Sequence, residues 1–337
     1  MELTVKGLWV ETISYEVPLL ALTCEAYFRF MDSDWTHNGQ EERAYNKGLR
    51  LLESGCVFAE YGTRRRRDLQ THEMILRGLV KAKERAEHLK LPGKLSGTSN
   101  VRLAMDFGLR PMGTVGHQWF MGIAALTGDY ATCTETALRI WLGCFGEGIW
   151  RVAPTDTFGT QAFLKSFRRP LQDPSPQDPS EARTGGVDGN TTFAQAFSGV
   201  RQDSGDPVNF VKVMRQFYDD AGITEKKTIV FSDSLTVDRC LQYKSICEGA
   251  GFESAFGVGT SFTNDFESTS DQRSAPLNVV MKLMTADGKP AIKIGDTVGK
   301  SSGDRDTLER VMAELSSHYR DWAEGDESER WGRDNGP

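Results

Sequence analysis

No two cysteines in this chain have the C-x-x-C spacing of a metal knuckle or a redox motif, and only 5 histidines occur in 337 residues. The six cysteines, at positions 24, 56, 133, 144, 240 and 247, sit mostly in apolar or helical surroundings. A zinc centre is therefore not expected, and reduced, buried thiols are. No run reaches the roughly 18 consecutive apolar residues that a membrane helix needs, and no leader pattern opens the sequence. The expected location is the cytoplasm, with the nucleus left open, and no membrane partner is expected. A basic surplus is also lacking: 40 Lys and Arg against 47 Asp and Glu give a net charge of −7 and a pI near 5.4. That balance argues against a nucleic-acid partner. The one basic run, Arg64-Arg65-Arg66-Arg67, is too short to reverse it, and Arg65 to Arg67 read as a solvated helix face.

What is present is an ordinary globular composition, 39% apolar and 26% charged, enough for a sizeable core. The most informative segment is Arg201-Gln202-Asp203-Ser204-Gly205-Asp206-Pro207. It places a guanidinium and two carboxylates around a glycine that permits a tight turn. Further on come Thr228 to Ser234 and Ala255 to Thr260, apolar runs that also end in acidic, hydroxyl or glycine residues. This rhythm predicts βα units with polar groups at strand C-termini, where α/β barrels and open α/β sheets carry their sites. Such groups suit a ligand bearing sugar hydroxyls, phosphates and a magnesium ion.

Along the chain, residues 3–14 read as a strand, 16–30 and 42–53 as helices, and 57–61 as a strand ending at a Gly-Thr-Arg-Arg turn. A charged helix over 69–88, a strand ending in Gly97-Thr98-Ser99-Asn100, an apolar helix opened by His117 and a strand before Thr155-Asp156-Thr157 follow. Residues 171–198 are rich in Asp, Pro and Gly and are expected to form a mobile surface insertion. Asp287-Gly288, between apolar runs at 278–284 and 289–294, is the strongest hairpin signal. Residues 321–337 read as a frayed tail in which Trp322 and Trp331 could dock.

Six motifs in order carry a family resemblance: Gly62-Thr-Arg-Arg, Gly97-Thr-Ser-Asn, Met112-Gly-Thr-Val-Gly-His117, Asp156-Thr-Phe-Gly-Thr, Arg201-Gln-Asp-Ser-Gly-Asp-Pro and Phe256-Gly-Val-Gly-Thr-Ser-Phe-Thr-Asn-Asp265. The chain resembles the nicotinate phosphoribosyltransferases, and its wording is nearest to the fungal members. The resemblance implies an irregular α/β barrel of the type II phosphoribosyltransferases with a smaller, incomplete β-rich domain. Residues 16–276 would form the barrel, and 1–15 with 277–337 the remnant of the smaller domain. It further implies a homodimer that couples nicotinate to phosphoribosyl pyrophosphate, with magnesium, and hydrolyses ATP to drive the reaction.

The ring nitrogen of nicotinate is already an unprotonated nucleophile at neutral pH. Positioning and electrostatic stabilisation of an oxocarbenium-like ribose should therefore dominate catalysis. By resemblance, Tyr61 and Arg201 would sandwich the pyridine ring, and Asp203 and Asp233 would hold the ribose hydroxyls directly or through magnesium. Asp206 belongs to the same motif, and no direct protein ligand to the metal is assigned. Gly257, Gly259 and Thr260 would meet the 5′-phosphate, with Arg64 near the phosphates. Ser99 would favour the carboxylate of nicotinate over the amide of nicotinamide. His117 would carry the phosphoryl group from ATP, with Asp156 against its ring. Read from the residues alone, each has a plainer alternative: a core aromatic for Tyr61, an ion pair for Arg201, turn capping for the aspartates and a structural role for His117.

Two departures stand out. Gln118 follows the histidine where the family usually has Glu, and about a hundred further residues would precede Leu8 in family members. The competing expectation is therefore a truncated remnant that folds and binds phosphate ligands without turnover.

Overall fold

A computed structural model of the chain describes residues 3–145, 151–171, 191–268, 273–297 and 300–315. Six short apolar segments form its central sheet: β1 (Val57–Glu60), β2 (Lys94–Thr98), β3 (Val152–Pro154), β4 (Gly199–Gln202), β5 (Thr228–Phe231) and β6 (Glu253–Val258). Their order is β2-β1-β6-β5-β4-β3, and every pairing is parallel. β1 pairs with β6, so the sheet wraps round in the order of a barrel and leaves β2 and β3 as its edges. The predicted irregular α/β barrel is thus present, with small antiparallel pairs beside it.

Parallel neighbours require crossovers, and the sequence supplies helices with strong starts. The helix Leu69–Leu89 links β1 to β2 and is capped by Asp68, which accepts from Thr71 N at 2.7 Å. Pro207–Asp220 links β4 to β5, with Pro207 in its first turn and the Asp206 carboxylate accepting from Val208 N at 2.8 Å. Val237–Gly249 links β5 to β6 behind a Thr236 cap. Phe58, Phe231 and Phe256 on adjoining strands are buried, and the rings of Phe231 and Phe256 stack with centroids 5.6 Å apart. Each such burial is worth roughly 1.5–3 kcal/mol.

Three expectations need correction. Residues 3–14 form no strand; Trp9–Thr12 is a short helix, held where Glu11 N and Thr12 N both donate to Leu8 O at 3.0 Å. Trp9 packs on Trp119, centroids 6.0 Å apart, and that anchor outweighs the local strand propensity. The Asp287-Gly288 turn does form, with φ of 51° and 71°, but its strands are only Thr285–Ala286 and Lys289–Pro290. The ends of the 171–198 stretch are packed rather than loose: Leu171 N donates to Thr191 O at 2.8 Å, and Phe193 and Phe197 are fully buried. Residues 172–190 and the tail with Trp322 and Trp331 lie outside the described residues.

The arginine run also departs from expectation, because Arg67 is 0% exposed. Its guanidinium lies 3.7 Å from the ring centroid of Phe28 and 4.3 Å from that of Phe266, and it donates to Ser274 Oγ at 3.0 Å. Burial lowers its pKa to about 10, with Asp32 opposing. Arg67→Ala is expected to cost about 3 kcal/mol of stability, by leaving a cavity and an unbalanced Asp32. Arg64→Ala, at a half-exposed position, is expected to cost under about 1 kcal/mol. Urea unfolding of the two variants checks the contrast.

Candidate active site

Every strand of the sheet delivers a polar residue just past its C-terminal end. β1 leads into Tyr61, β2 into Ser99, β3 into Asp156, β4 into Asp203, β5 into Ser232 and Asp233, and β6 into Gly259 and Thr260. Tyr61, Arg64, Ser99, His117, Arg201, Asp203, Asp233, Gly257, Gly259 and Thr260 line one cavity of about 340 Å³. Gly257 is required by the Tyr61 ring, since a Cβ there would lie 2.5 Å from Tyr61 Cδ2. Two predicted residues stand elsewhere. Asp206 is exposed and caps its helix instead of lining the cavity. Asp156, 1% exposed, lies beneath the cavity wall.

His117 opens the helix His117–Thr127 and sits among charges of both signs. Its Nδ1 is 3.0 Å from Thr157 Oγ1, and its Nε2 is 2.9 Å from Asp203 Oδ2. Arg201 Nη2 lies 3.0 Å from both His117 Nε2 and Asp203 Oδ2, and Lys293 Nζ lies 3.4 Å from Nε2. The carboxylate nearest the ring is therefore Asp203; Asp156 Oδ1 stands off at 3.8 Å from Nε2. Asp156 Oδ2 binds Lys293 Nζ at 2.9 Å and accepts from Ser204 Oγ at 2.6 Å. Its Oδ1 meets no hydrogen-bond donor among the described residues.

Burial, then Lys293, drive the His117 pKa down to about 4, with Asp156 and Asp203 pulling the other way. The ring is thus neutral near pH 7. Nε2 faces the N–H groups of Arg201 and Lys293 and also the Asp203 carboxylate, which can only accept. Nδ1 faces the Thr157 hydroxyl, which can donate or accept, so either neutral tautomer has partners here. For Asp203 burial acts upward, yet Arg201 and His117 hold it well below the ordinary range. For Asp156 burial also acts upward, and Lys293 with His117 outweighs it. Burial lowers Lys293 but Asp156 and Asp203 raise it overall, so the cluster holds two cations and two anions around a neutral imidazole.

A second buried pair shapes the turns above β1 and β2. Glu60 and His72 are both 0% exposed and meet at 2.9 Å. The Glu60 carboxylate also accepts from Gly62 N and Thr98 Oγ1, and its carbonyl accepts from Ser99 N at 2.8 Å. Tyr61, Arg64 and Ser99 are thereby fixed relative to one another.

Sequence reasoning missed Lys293, Lys300, Glu16 and Ser232. Lys300 Nζ meets Asp233 Oδ1 at 2.9 Å and Asp203 O at 2.6 Å. Ser232 Oγ donates to Asp203 Oδ1 at 2.7 Å. Lys293 falls between Ile292 and Ile294 in an apolar run that reads only as a strand, and its burial is seen in the fold alone. Arg65 lines the cavity as well, contrary to its reading as a solvated residue. A magnesium cage at His117, Asp156 and Asp203 does not fit, although their ligand atoms lie within 4.8 Å of one another; Arg201 and Lys293 already compensate those carboxylates.

Comparison with known proteins gives a consistent result. The profile of the Nicotinate phosphoribosyltransferase (NAPRTase) family matches residues 56–319. A probable nicotinate phosphoribosyltransferase of Schizosaccharomyces pombe is 43% identical over 318 residues, which are 94% of this chain and 72% of that protein. The nicotinate phosphoribosyltransferase of Saccharomyces cerevisiae is 41% identical, over 98% of this chain and 73% of its own length. A crystal structure of a putative nicotinate phosphoribosyltransferase from the same yeast superposes with a TM-score of 0.83, covering 93% of this chain and 70% of that one at 41% identity.

The neutral, buried imidazole has a measurable consequence. The unfolded chain takes up a proton at the ordinary histidine pKa, about 6.5, while the folded protein resists until about pH 4. Acidification across that window should therefore cost stability, up to about 3 kcal/mol from this group. His117→Gln is expected to lose less stability than the parent between pH 6.5 and 4, as compared by urea unfolding at stepped pH.

Proposed function

The chain belongs to the nicotinate phosphoribosyltransferase family, and from that membership we propose that it joins nicotinate to phosphoribosyl pyrophosphate, giving nicotinate mononucleotide and pyrophosphate, with ATP hydrolysis coupled through His117. The observation that carries the reading is the placement of His117 Nε2 between Arg201, Lys293 and Asp203, at the wall of a cavity that also holds Tyr61, Ser99 and Asp233.

The chemistry follows from that geometry. In the tautomer with the proton on Nδ1, the Nε2 lone pair attacks the γ-phosphorus of ATP as the bond to the ADP oxygen breaks and ADP leaves. Arg201 and Lys293 offset charge gathering on the phosphoryl oxygens; water later cleaves the N–P bond and releases phosphate. Phosphorylation at Nε2 leaves the ring cationic while Nδ1 keeps its proton toward Thr157; Asp203 and Asp156 then face a positive ring. Tyr61 and Arg201 are read as the faces that hold the pyridine ring, with the guanidinium also favouring its carboxylate. The Ser99 hydroxyl can donate to that carboxylate, which an acidic side chain would repel. Asp203 and Asp233 are read as acceptors for the ribose cis-diol, and Gly257, Gly259 and Thr260 as the 5′-phosphate cradle. Magnesium, when bound, supplies charge neutralisation on pyrophosphate oxygens. Asp156, Asp203 and Asp233 are each already paired with a cation, so the ion would take phosphate oxygens and water as its ligands. Among the described residues no helix is long and apolar enough to cross a membrane.

The test is nicotinate mononucleotide formation from nicotinate, phosphoribosyl pyrophosphate and magnesium, with and without ATP. Turnover stimulated by ATP is expected, with stimulation absent in His117→Ala and kcat lowered by roughly 10²–10³-fold in Asp203→Ala. No product from folded parent protein would sink the reading and favour a chain that binds phosphate ligands without turnover.

A further inference from the structure

One carboxylate in the cavity has no part in the chemistry so far. Glu16, the first residue of the helix Glu16–Phe30, lines the cavity together with Arg64, Gln118 and His117. One of its oxygens meets Arg64 Nη1 at 2.8 Å; the other accepts from the Gln118 side-chain amide. Arg64 is the guanidinium expected to face phosphates, so in the free protein a side chain of the protein itself occupies an anion-binding cation.

The two partners are unequally placed. The Glu16 side chain is 18% exposed and that of Arg64 is 57% exposed. Glu16 is held from a second side by Gln118, whereas Arg64 extends toward solvent. A half-exposed pair of this kind is worth under about 1 kcal/mol, so a multiply charged anion can draw Arg64 away. The Glu16 carboxylate stays beside the cavity on Gln118, where its charge opposes the bound anion. The other two carboxylates on the wall differ, because Asp203 is neutralised by Arg201 and Asp233 by Lys300 whether or not Arg64 moves.

We propose that Glu16 is an internal competitor for Arg64: it takes the place of a phosphate in the empty site, yields it to the incoming anion, and reclaims it as pyrophosphate departs. The inference rests on the proposed phosphoribosyl transfer, in which pyrophosphate is the leaving group and must be discharged on every cycle. A carboxylate that lowers pyrophosphate affinity accelerates that discharge. Glu16 touches no reacting atom, so its effect falls on anion affinity and product release rather than on bond breaking.

The experiment measures binding of inorganic pyrophosphate with magnesium, by calorimetry, to the full chain and to Glu16→Gln. The amide keeps the shape and can still accept from Gln118, but it carries no charge. Glu16→Gln is expected to bind pyrophosphate about threefold to fivefold more tightly, and the gain should shrink at high ionic strength. The gain should also shrink in an Arg64→Gln background, a dependence that a purely structural role of Glu16 would not show. If Glu16→Gln fails to fold, Glu16→Asp serves instead: the shorter side chain, drawn back from Arg64, should also bind pyrophosphate more tightly than the parent. Equal or weaker binding by a folded variant overturns the proposal while leaving the transferase reading intact, which the product assay tests separately. Absence of pyrophosphate binding by parent and variant alike overturns both.

Discussion

The site depends on a buried balance of charge. Arg201 and Lys293 are set against Asp203 and Asp156 around His117, and each member is tolerable inside the protein only because the others are there. Isolated, any of these ions would be costly to bury; together they share hydrogen bonds at 2.9–3.0 Å between Arg201 and Asp203, and between Lys293 and Asp156. Removing one partner would leave its counterpart uncompensated, typically more damaging than never having had the pair. Burial, with Lys293 beside it, keeps the imidazole neutral against the pull of Asp156 and Asp203.

The sheet makes that balance achievable. Parallel strands point all their C-terminal ends one way, so residues far apart in sequence converge on one rim. β3 and β4 are neighbours, which brings Asp156 and Asp203 to the same ring. β1 lies between β2 and β6, which sets Tyr61 beside Ser99 on one side and Gly257 on the other. Glu60 then fastens the exits of β1 and β2 together through its carboxylate and its carbonyl, so the aromatic wall and the serine are positioned as one unit. Precision comes from the rigid rim, and the turns themselves are short.

Much of this was legible in the sequence because it is local. An apolar run ending in Asp, Ser or Gly marks a strand end directly, so the strand exits could be read locally, while the roles given to Tyr61, Ser99, Asp203, Asp233 and Gly257 came from the resemblance. What could not be read was which distant partner each would meet. Asp156 and Asp203 both follow strand ends, and nothing in the sequence says that Asp203 approaches Nε2 more closely. Lys293 alternates with Ile292 and Ile294 like any strand residue, and only the folded chain turns its amine onto Asp156. Arg67 looked solvated because its aromatic cage, Phe28, Trp35 and Phe266, is assembled from remote segments. Trp9 illustrates the same limit: its docking on Trp119 overrides a stretch that reads as a strand.

The order in which the site's members occur along the chain has a consequence for synthesis on the ribosome. Strands β1 to β6 are complete by Val258, and a nascent chain of that length could already pair its sheet, since domains tend to fold as soon as their elements emerge. Asp156 and Asp203 would then face His117 with Arg201 as the one cation from the cluster, because Lys293 and Lys300 follow much later. Until those lysines emerge, the rim carries more carboxylates than cations. Electrical completion of the site thus waits on Lys293 and Lys300, which follow the last strand of the sheet by several tens of residues.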